Sequence, residues 1–427
     1  MEQETMNMEK VLIIGVEMNS DTTPIENSLD ELEELVNAAG GVVVARLSQR
    51  MNAINAAHFI GKGKAEEIKN YCDELDITTV VFNDELSGAQ LRNLESMINK
   101  KIVDRTNLIL DIFANRASSK EGKLQVKLAQ LKYRLPRLVG FSDYLSREGG
   151  GIGTRGPGEQ KLETDRRHIL REIDNIEKDL KIVEKNRSVK RKRREDSNLP
   201  IVALVGYTNA GKSTLLNKII ELNDDSEETK QVFVKDMLFA TLDTSLRRGK
   251  LPNGQPFLLT DTVGFVSKLP TKLIEAFKGT LEEVKYADLL IHMVDASNED
   301  LDIQIGTTYS ILEELDVLDK PTITVFNKMD KISVEELHYD DKYVDDKAFI
   351  STMNTKDIET LLERIEEALP QQYKMVKLKL SYDKQDIVNY FMTNYEINEV
   401  EHLEDGTVLE FTINQIDLQK YKEYIID

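Results

Sequence analysis

Ten consecutive residues, Val205-Gly206-Tyr207-Thr208-Asn209-Ala210-Gly211-Lys212-Ser213-Thr214, combine two glycines, a lysine and a hydroxyl at the spacing that wraps a polyphosphate. Gly206 and Gly211 permit positive φ and close backbone approach to a ligand. Successive N–H groups and the positive end of a following helix then face the phosphate charge. Lys212 reaches the β- and γ-phosphates, and the Ser213 hydroxyl binds Mg²⁺. Further along, Asp261-Thr262-Val263-Gly264 offers a carboxylate for the hydration shell of that Mg²⁺, bound through water, and a Gly264 N–H for the γ-phosphate. Asn327-Lys328-Met329-Asp330 supplies a base contact. The Asp330 carboxylate accepts both N1–H and N2–H of guanine, which adenine cannot match, and an unmet buried acceptor makes the discrimination large. The Lys328 stem covers the base plane. Phe265 follows Gly264 and has neither donor nor acceptor, so it cannot orient an attacking water. No general base can be named.

Short apolar strands must position these groups. Ile201 to Leu204 precedes the phosphate loop, and Leu215 to Leu222 follows as a helix. Phe257 to Thr260, entered from an Asn253-Gly254 turn, carries Asp261; Thr322 to Phe326 carries Asn327. Upstream, Val11 to Val16, Gly41 to Arg46 and Thr78 to Phe82 read as strands between helices Ser28 to Ala38, Lys64 to Leu75 and Gly88 to Asn99. The expected fold class is multidomain α/β. It comprises an N-terminal α/β domain (1–104), a long helical hairpin with a glycine-rich loop (105–197), a central P-loop domain (198–369) and a small α+β C-terminal domain (370–427). The hairpin consists of a helix from Arg105 to Leu135 broken at Pro136, an exposed mobile tip over Gly149 to Gly158, and a helix from Glu159 to about Arg194. Arg147, Arg155, Lys161, Arg166 and Arg167 flank the tip glycines, and small residues beside arginines suit insertion among RNA phosphates; a flexible linker is the bland alternative. Phe59-Ile60-Gly61-Lys62-Gly63-Lys64 reads either as a second anion site at a helix start or, from spacing alone, as a loop with solvated lysines.

A chain of 427 residues with 40% apolar and 31% charged content is globular, and large enough for several cores. Its formal charge of -20 does not exclude nucleic acid, because Lys185 to Arg194 is locally basic and screening limits the reach of distant acids. One cysteine, Cys72, allows no internal disulfide, and the five histidines are scattered, so neither an oxidising compartment nor a zinc site is indicated. No secretory signal and no membrane-spanning run is visible, and a cytoplasmic monomer is expected.

Phosphate loop, Asp-x-x-Gly and Asn-Lys-x-Asp, in this order, resemble the translation-factor class of GTPases over roughly residues 199–368. Ile350-Ser351-Thr352-Met353 stands where that class has its last guanine motif; Thr352 departs from the usual alanine, but the contact there is made by backbone N–H. From about Met8 onward the chain is similar to the HflX GTPases, through Phe59 to Lys64, Gly149 to Arg167, Gly206 to Thr214 and Leu238-Phe239-Ala240-Thr241-Leu242-Asp243. The resemblance implies a GTPase that binds GTP and GDP, engages the large ribosomal subunit and its rRNA, and splits or rescues stalled ribosomes under stress. It makes Thr241 the switch threonine on Mg²⁺, in a segment ordered by the γ-phosphate. Relatives with asparagine at the Asn209 position suggest K⁺ as a further cofactor. The competing expectations are a ribosome-assembly GTPase and an RNA-remodelling ATPase with a second nucleotide site in the N-terminal domain.

Overall fold

The computed structural model describes residues 8–19, 25–145, 157–195, 199–223, 239, 245–270, 273, 281–298, 300–340, 344, 346–369, 373–395 and 397–426. At the N-terminus, β1 (Glu9–Met18), β2 (Gly41–Met51), β3 (Thr79–Phe82) and β4 (Lys101–Asp104) form a parallel sheet in the order β2-β1-β3-β4. The crossovers are α1 (Ile25–Ala38), α2 (Lys62–Glu74) and α3 (Gly88–Ile98). Alternation along β1 sends Val11 and Ile13 into a core with Leu29 and Leu32 of α1. Leu12 and Ile14 go to the opposite face, with Ile68 of α2 and Leu94 of α3. Strand β4 lies outside the sequence expectation, because four residues with Lys101 and Asp104 at the ends carry too little pattern.

The helical part departs from the expected single break at Pro136. Two helices run here, α4 (Arg105–Arg116) and α5 (Lys120–Leu145), and Pro136 lies inside the second. Asp104 caps α4 by accepting from Asn107 N–H at 2.9 Å, and the Ser119 hydroxyl accepts from Gly122 N–H at 2.9 Å at the start of α5. Leu128 and Leu131, with Leu135 and Leu138 on either side of the proline, pack on Ile169, Ile173 and Ile176 of α6 (Pro157–Glu195). That shared apolar seam outweighs one lost backbone hydrogen bond. Arg137 ties α5 to the N-terminal sheet, donating to Leu86 O at 2.7 Å and to the buried Asp104 carboxylate at 3.1 Å. Arg187 of α6 pairs with Glu121 at 3.2 Å and with Glu283 of the central domain at 3.5 Å. Pro157 and Gly158 open α6 rather than closing the tip, as suits proline in a first helical turn. The remainder of the expected tip, Gly149 to Gly156, lies outside the described residues.

The central sheet has the order β10-β9-β8-β5-β7-β6. Its strands are β5 (Ile201–Gly206), β6 (Ser245–Lys250), β7 (Pro256–Asp261), β8 (Leu289–Asp295), β9 (Thr322–Asn327) and β10 (Asp346–Phe349), all parallel except β6. Val202 and Leu204 face α7 (Lys212–Asn223) and α9 (Thr355–Ala368). Ala203 and Val205 face Val284 and Ile311 of α8 (Leu301–Glu314). Gly206, Asp261, Asp295 and Asn327 therefore end four strands at one edge of the sheet, where open α/β sheets bind ligands. The C-terminal part is an antiparallel sheet of β11 (Tyr373–Leu380), β12 (Ile397–Leu403), β13 (Gly406–Asn414) and β14 (Ile425–Ile426), with α10 (Gln385–Asn394) and α11 (Gln415–Lys420). Among the described residues no helix is long and apolar enough to cross a membrane. The expected fold class, multidomain α/β with a P-loop domain, is the observed one.

Candidate nucleotide site

The phosphate loop owes its shape to two missing side chains. Gly206 has φ 137°, and a Cβ there would lie 2.2 Å from Met293 O of β8. Gly211 has φ 96°, and its Cβ would lie 2.2 Å from Asn327 Nδ2. Asn209 also adopts a left-handed conformation, at φ 61°. The Lys212 ammonium is buried and donates to Gly206 O at 2.9 Å and Tyr207 O at 2.7 Å. Burial pushes it down to about 8, opposed by the Asp261 charge, so incoming phosphates supply the counter-charge that the pocket withholds.

Ser213 Oγ donates to Asp261 Oδ2 at 2.6 Å. A hydroxyl and a fully buried carboxylate so placed are hard oxygen donors suited to Mg²⁺, directly and through water respectively. Thr262 donates to Leu204 O at 2.6 Å, which anchors the end of β7, and Thr208 Oγ1 accepts from Phe239 N–H at 3.0 Å. Gly264 lies so close over the loop that a Cβ would approach Thr208 Cα to 2.8 Å. Phe265, the residue after Gly264, points into the core with Val205 and Val284 and is 1% exposed.

At the base end, Asn327 links three segments. Its amide donates to Ala210 O of the phosphate loop at 2.9 Å, and its Oδ1 accepts from Thr352 N–H at 3.0 Å. Lys328, in a left-handed conformation at φ 66°, pairs with Asp295 Oδ2 at 2.6 Å. Asp330 accepts from Ser351 Oγ at 2.7 Å, and that hydroxyl holds its carboxyl below the ordinary carboxylate range. Ser351 and Thr352 are buried, whereas Met353 is 78% exposed. Residues from Gly206 to Thr214, Asp261 to Gly264, Asn327 to Asp330 and Ser351 to Met353 thus meet at one sheet edge.

Thr241, Arg147 and Arg155 lie outside the described residues; the backbone of Lys161 belongs to α6. Arg166 and Arg167 are exposed on α6, beside Glu163 at 4.0 and 3.0 Å. In the Phe59 to Lys64 loop, Gly61 N–H donates to Gln49 Oε1 at 3.1 Å and Lys64 pairs with Glu67 at 2.9 Å. Sequence reasoning missed Asp295, the partner of Lys328. It also missed a polar junction of Glu31, Arg105, Tyr207 and Ser267 between the N-terminal domain and the phosphate loop. An arginine directly before the apolar run of α4 was the only hint of the latter.

Three family models match in succession: "GTP-binding GTPase N-terminal" over residues 26–114, "GTP-binding GTPase Middle Region" over 116–194 and "50S ribosome-binding GTPase" over 201–328. Among curated relatives, GTPase HflX of Caldanaerobacter subterraneus subsp. tengcongensis is 45% identical over 426 residues, covering 100% of this chain and 96% of its own length. GTPase HflX of Escherichia coli is 40% identical, covering 89% and 88%. A solved GTP-binding protein from Sulfolobus solfataricus in complex with GDP is 26% identical, covers 84% of this chain and 98% of that one, and superposes with a TM-score of 0.42. With the guanine-nucleotide motifs assembled at one edge of the sheet, the chain belongs to the HflX GTPase family and is a GTP hydrolase.

Proposed function

We propose that this GTPase binds the large ribosomal subunit and splits or rescues stalled ribosomes under stress, acting as a cytoplasmic monomer. The observation that carries the reading is the α5–α6 hairpin. It is held to the nucleotide domain at its base through Arg187 and Glu283, and to the N-terminal sheet farther along α5 through Arg137. A long projection so anchored couples a remote contact to the nucleotide site, and its exposed Arg166 and Arg167 suit RNA phosphates. Arg147, Arg155 and Lys161 complete the proposed rRNA contact. The match to a family model described as "50S ribosome-binding GTPase" supports the same partner. The domain limits proposed are 1–104, 105–197, 198–369 and 370–427.

In this reading Ser213 and Thr241 bind Mg²⁺ directly and Asp261 holds it through water. When bound, Mg²⁺ would supply neutralisation of phosphate charge. The Asn209 amide oxygen is proposed as a K⁺ ligand. With Phe265 buried, intrinsic hydrolysis is slow and the ribosome accelerates it. Light scattering of intact ribosomes mixed with the protein tests the function. A drop that is larger with GTP than with GDP is expected, and equal traces in the two nucleotides overturn the splitting reading.

A further inference from the structure

The Lys328 ammonium is not left to solvent. The residue follows Asn327 in a left-handed conformation at φ 66°, and its Nζ donates to Asp295 Oδ2 at 2.6 Å. Both side chains are largely enclosed, the lysine 20% exposed and the aspartate 14%. Asp295 is held in turn. Its Oδ1 accepts from the Ser297 N–H at 3.1 Å and from the Ser297 hydroxyl at 2.7 Å, so each carboxylate oxygen has its own partner. Its backbone N–H donates at 3.2 Å to Oε1 of Gln304, a buried residue of α8. The two backbones are fixed as well. Asp295 of β8 stands opposite Asn327 of β9, and Ala296 N–H donates to Asn327 O at 2.9 Å. Val294 and Ala296, on either side of Asp295, are buried with Leu301 and Phe326, and Met329 beside Lys328 packs on the same cluster. Alternation along β8 sends Asp295 to the face of Met293, which shares a core with Ala210 of the phosphate loop.

We infer that Asp295 is a positioning residue for the guanine base: by fixing the Lys328 ammonium it holds the lysine stem as a preformed strip along the base plane, and so sets how long the nucleotide stays bound. A lysine whose head is free in water samples many rotamers, and ordering them when the base arrives opposes binding. Here the head is tethered before the nucleotide enters, so the base meets an apolar surface already in place. Lysine suits this arrangement because its stem is apolar while its charge is compact enough for one carboxylate oxygen to hold. Ser297 completes it by occupying the other oxygen, which keeps the carboxylate from rotating away. Loss of the tether removes a contact of the bound state, so it speeds dissociation and leaves association nearly as it was. The inference rests on Asn327 to Asp330 reading the base, and on nothing at the ribosome.

The test uses the full chain and stopped-flow association and dissociation of mant-GDP. Asp295→Asn is expected to raise the dissociation rate about tenfold and to leave the association rate within about twofold of the parent. Lys328→Met keeps the apolar stem without the ammonium, and should raise the dissociation rate by about the same factor. In the Lys328→Met background, Asp295→Asn should change the rate less than about twofold, because its effect passes through the ammonium. An aspartate that only braced the loop after β8 would act by the same factor in both backgrounds, and that result overturns the inference. So does a dissociation rate for Asp295→Asn within about twofold of the parent. Ser297→Ala, which frees one carboxylate oxygen, should raise dissociation about threefold, again only where Lys328 is present. Should Asp295→Asn fail to fold, Ser297→Ala carries the test. Asp330→Asn separates the inference from the reading beneath it. If that variant leaves GDP binding unchanged, the base reading falls and the inference with it; if it weakens GDP binding while Asp295→Asn does not, the inference alone falls.

Discussion

A methyl group on Gly211 is the smallest perturbation that reaches both ends of the nucleotide site. In Gly211→Ala the new Cβ would lie 2.2 Å from Asn327 Nδ2 and 3.5 Å from its Cγ. The first distance is about 1.3 Å inside the optimum for such a contact. Asn327 is 1% exposed and cannot retreat without abandoning Ala210 O, at 2.9 Å, and then Thr352 N–H, at 3.0 Å. Each buried hydrogen bond left unmade costs about 1–3 kcal/mol. The left-handed backbone at φ 96° costs an alanine about 1–2 kcal/mol more. Even with partial relaxation, about 3 kcal/mol should be lost from the nucleotide-bound state, or roughly a 100-fold rise in Kd. Titration with mant-GDP, paired with thermal melts with and without GDP, reads both the affinity and the missing ligand stabilisation. A variant whose Kd stays within fivefold of the parent would refute the interlock of Gly211 and Asn327.

Two further substitutions address selectivity and chemistry. Asp330→Asn removes a charged acceptor of paired N–H donors, so GDP affinity should fall by about 10²-fold or more. Xanthine nucleotides, whose 2-carbonyl accepts from an amide N–H, should be preferred; equal loss for GDP and XDP in competition assays would rule out the base contact. Phe265→Gln should not create a fast enzyme, because the side chain at this position points into the core. It should instead cost about 3 kcal/mol of stability, seen in urea unfolding, by placing an amide among apolar groups. A tenfold gain in single-turnover rate at unchanged stability would contradict the burial argument.

The chemistry of the site was legible because its signals are local. Gly206, Gly211, Lys212 and Ser213 lie within eight residues of one another, and each motif sits at the end of an apolar strand. Partners chosen by tertiary packing were not legible. Tyr207 and Glu31 are 176 residues apart, and neither type at its position announces the other. Asp295 looked like any acid after a strand until Lys328 was placed 2.6 Å away. Pro136 misled for the opposite reason, since its local preference was clear and the seam between α5 and α6 overrode it. Strand β12 escaped because Glu399 and Glu401 give an edge strand the polarity of a loop.

The anchoring of α6 has a mechanical consequence. About 30 residues separate Arg187 from the start of the helix at Pro157, which is about 45 Å of rigid rod at 1.5 Å per residue. The Arg187–Glu283 pair holds one end of that rod, and Arg137 of α5 holds the hairpin again through Leu86 and Asp104, so a tilt at one hold strains the other. The hairpin thus bridges the N-terminal and nucleotide domains at two levels, and a change in how either docks would load it as a beam. Its stiffness along the Leu131–Ile173 seam sets how much of that load reaches the far end.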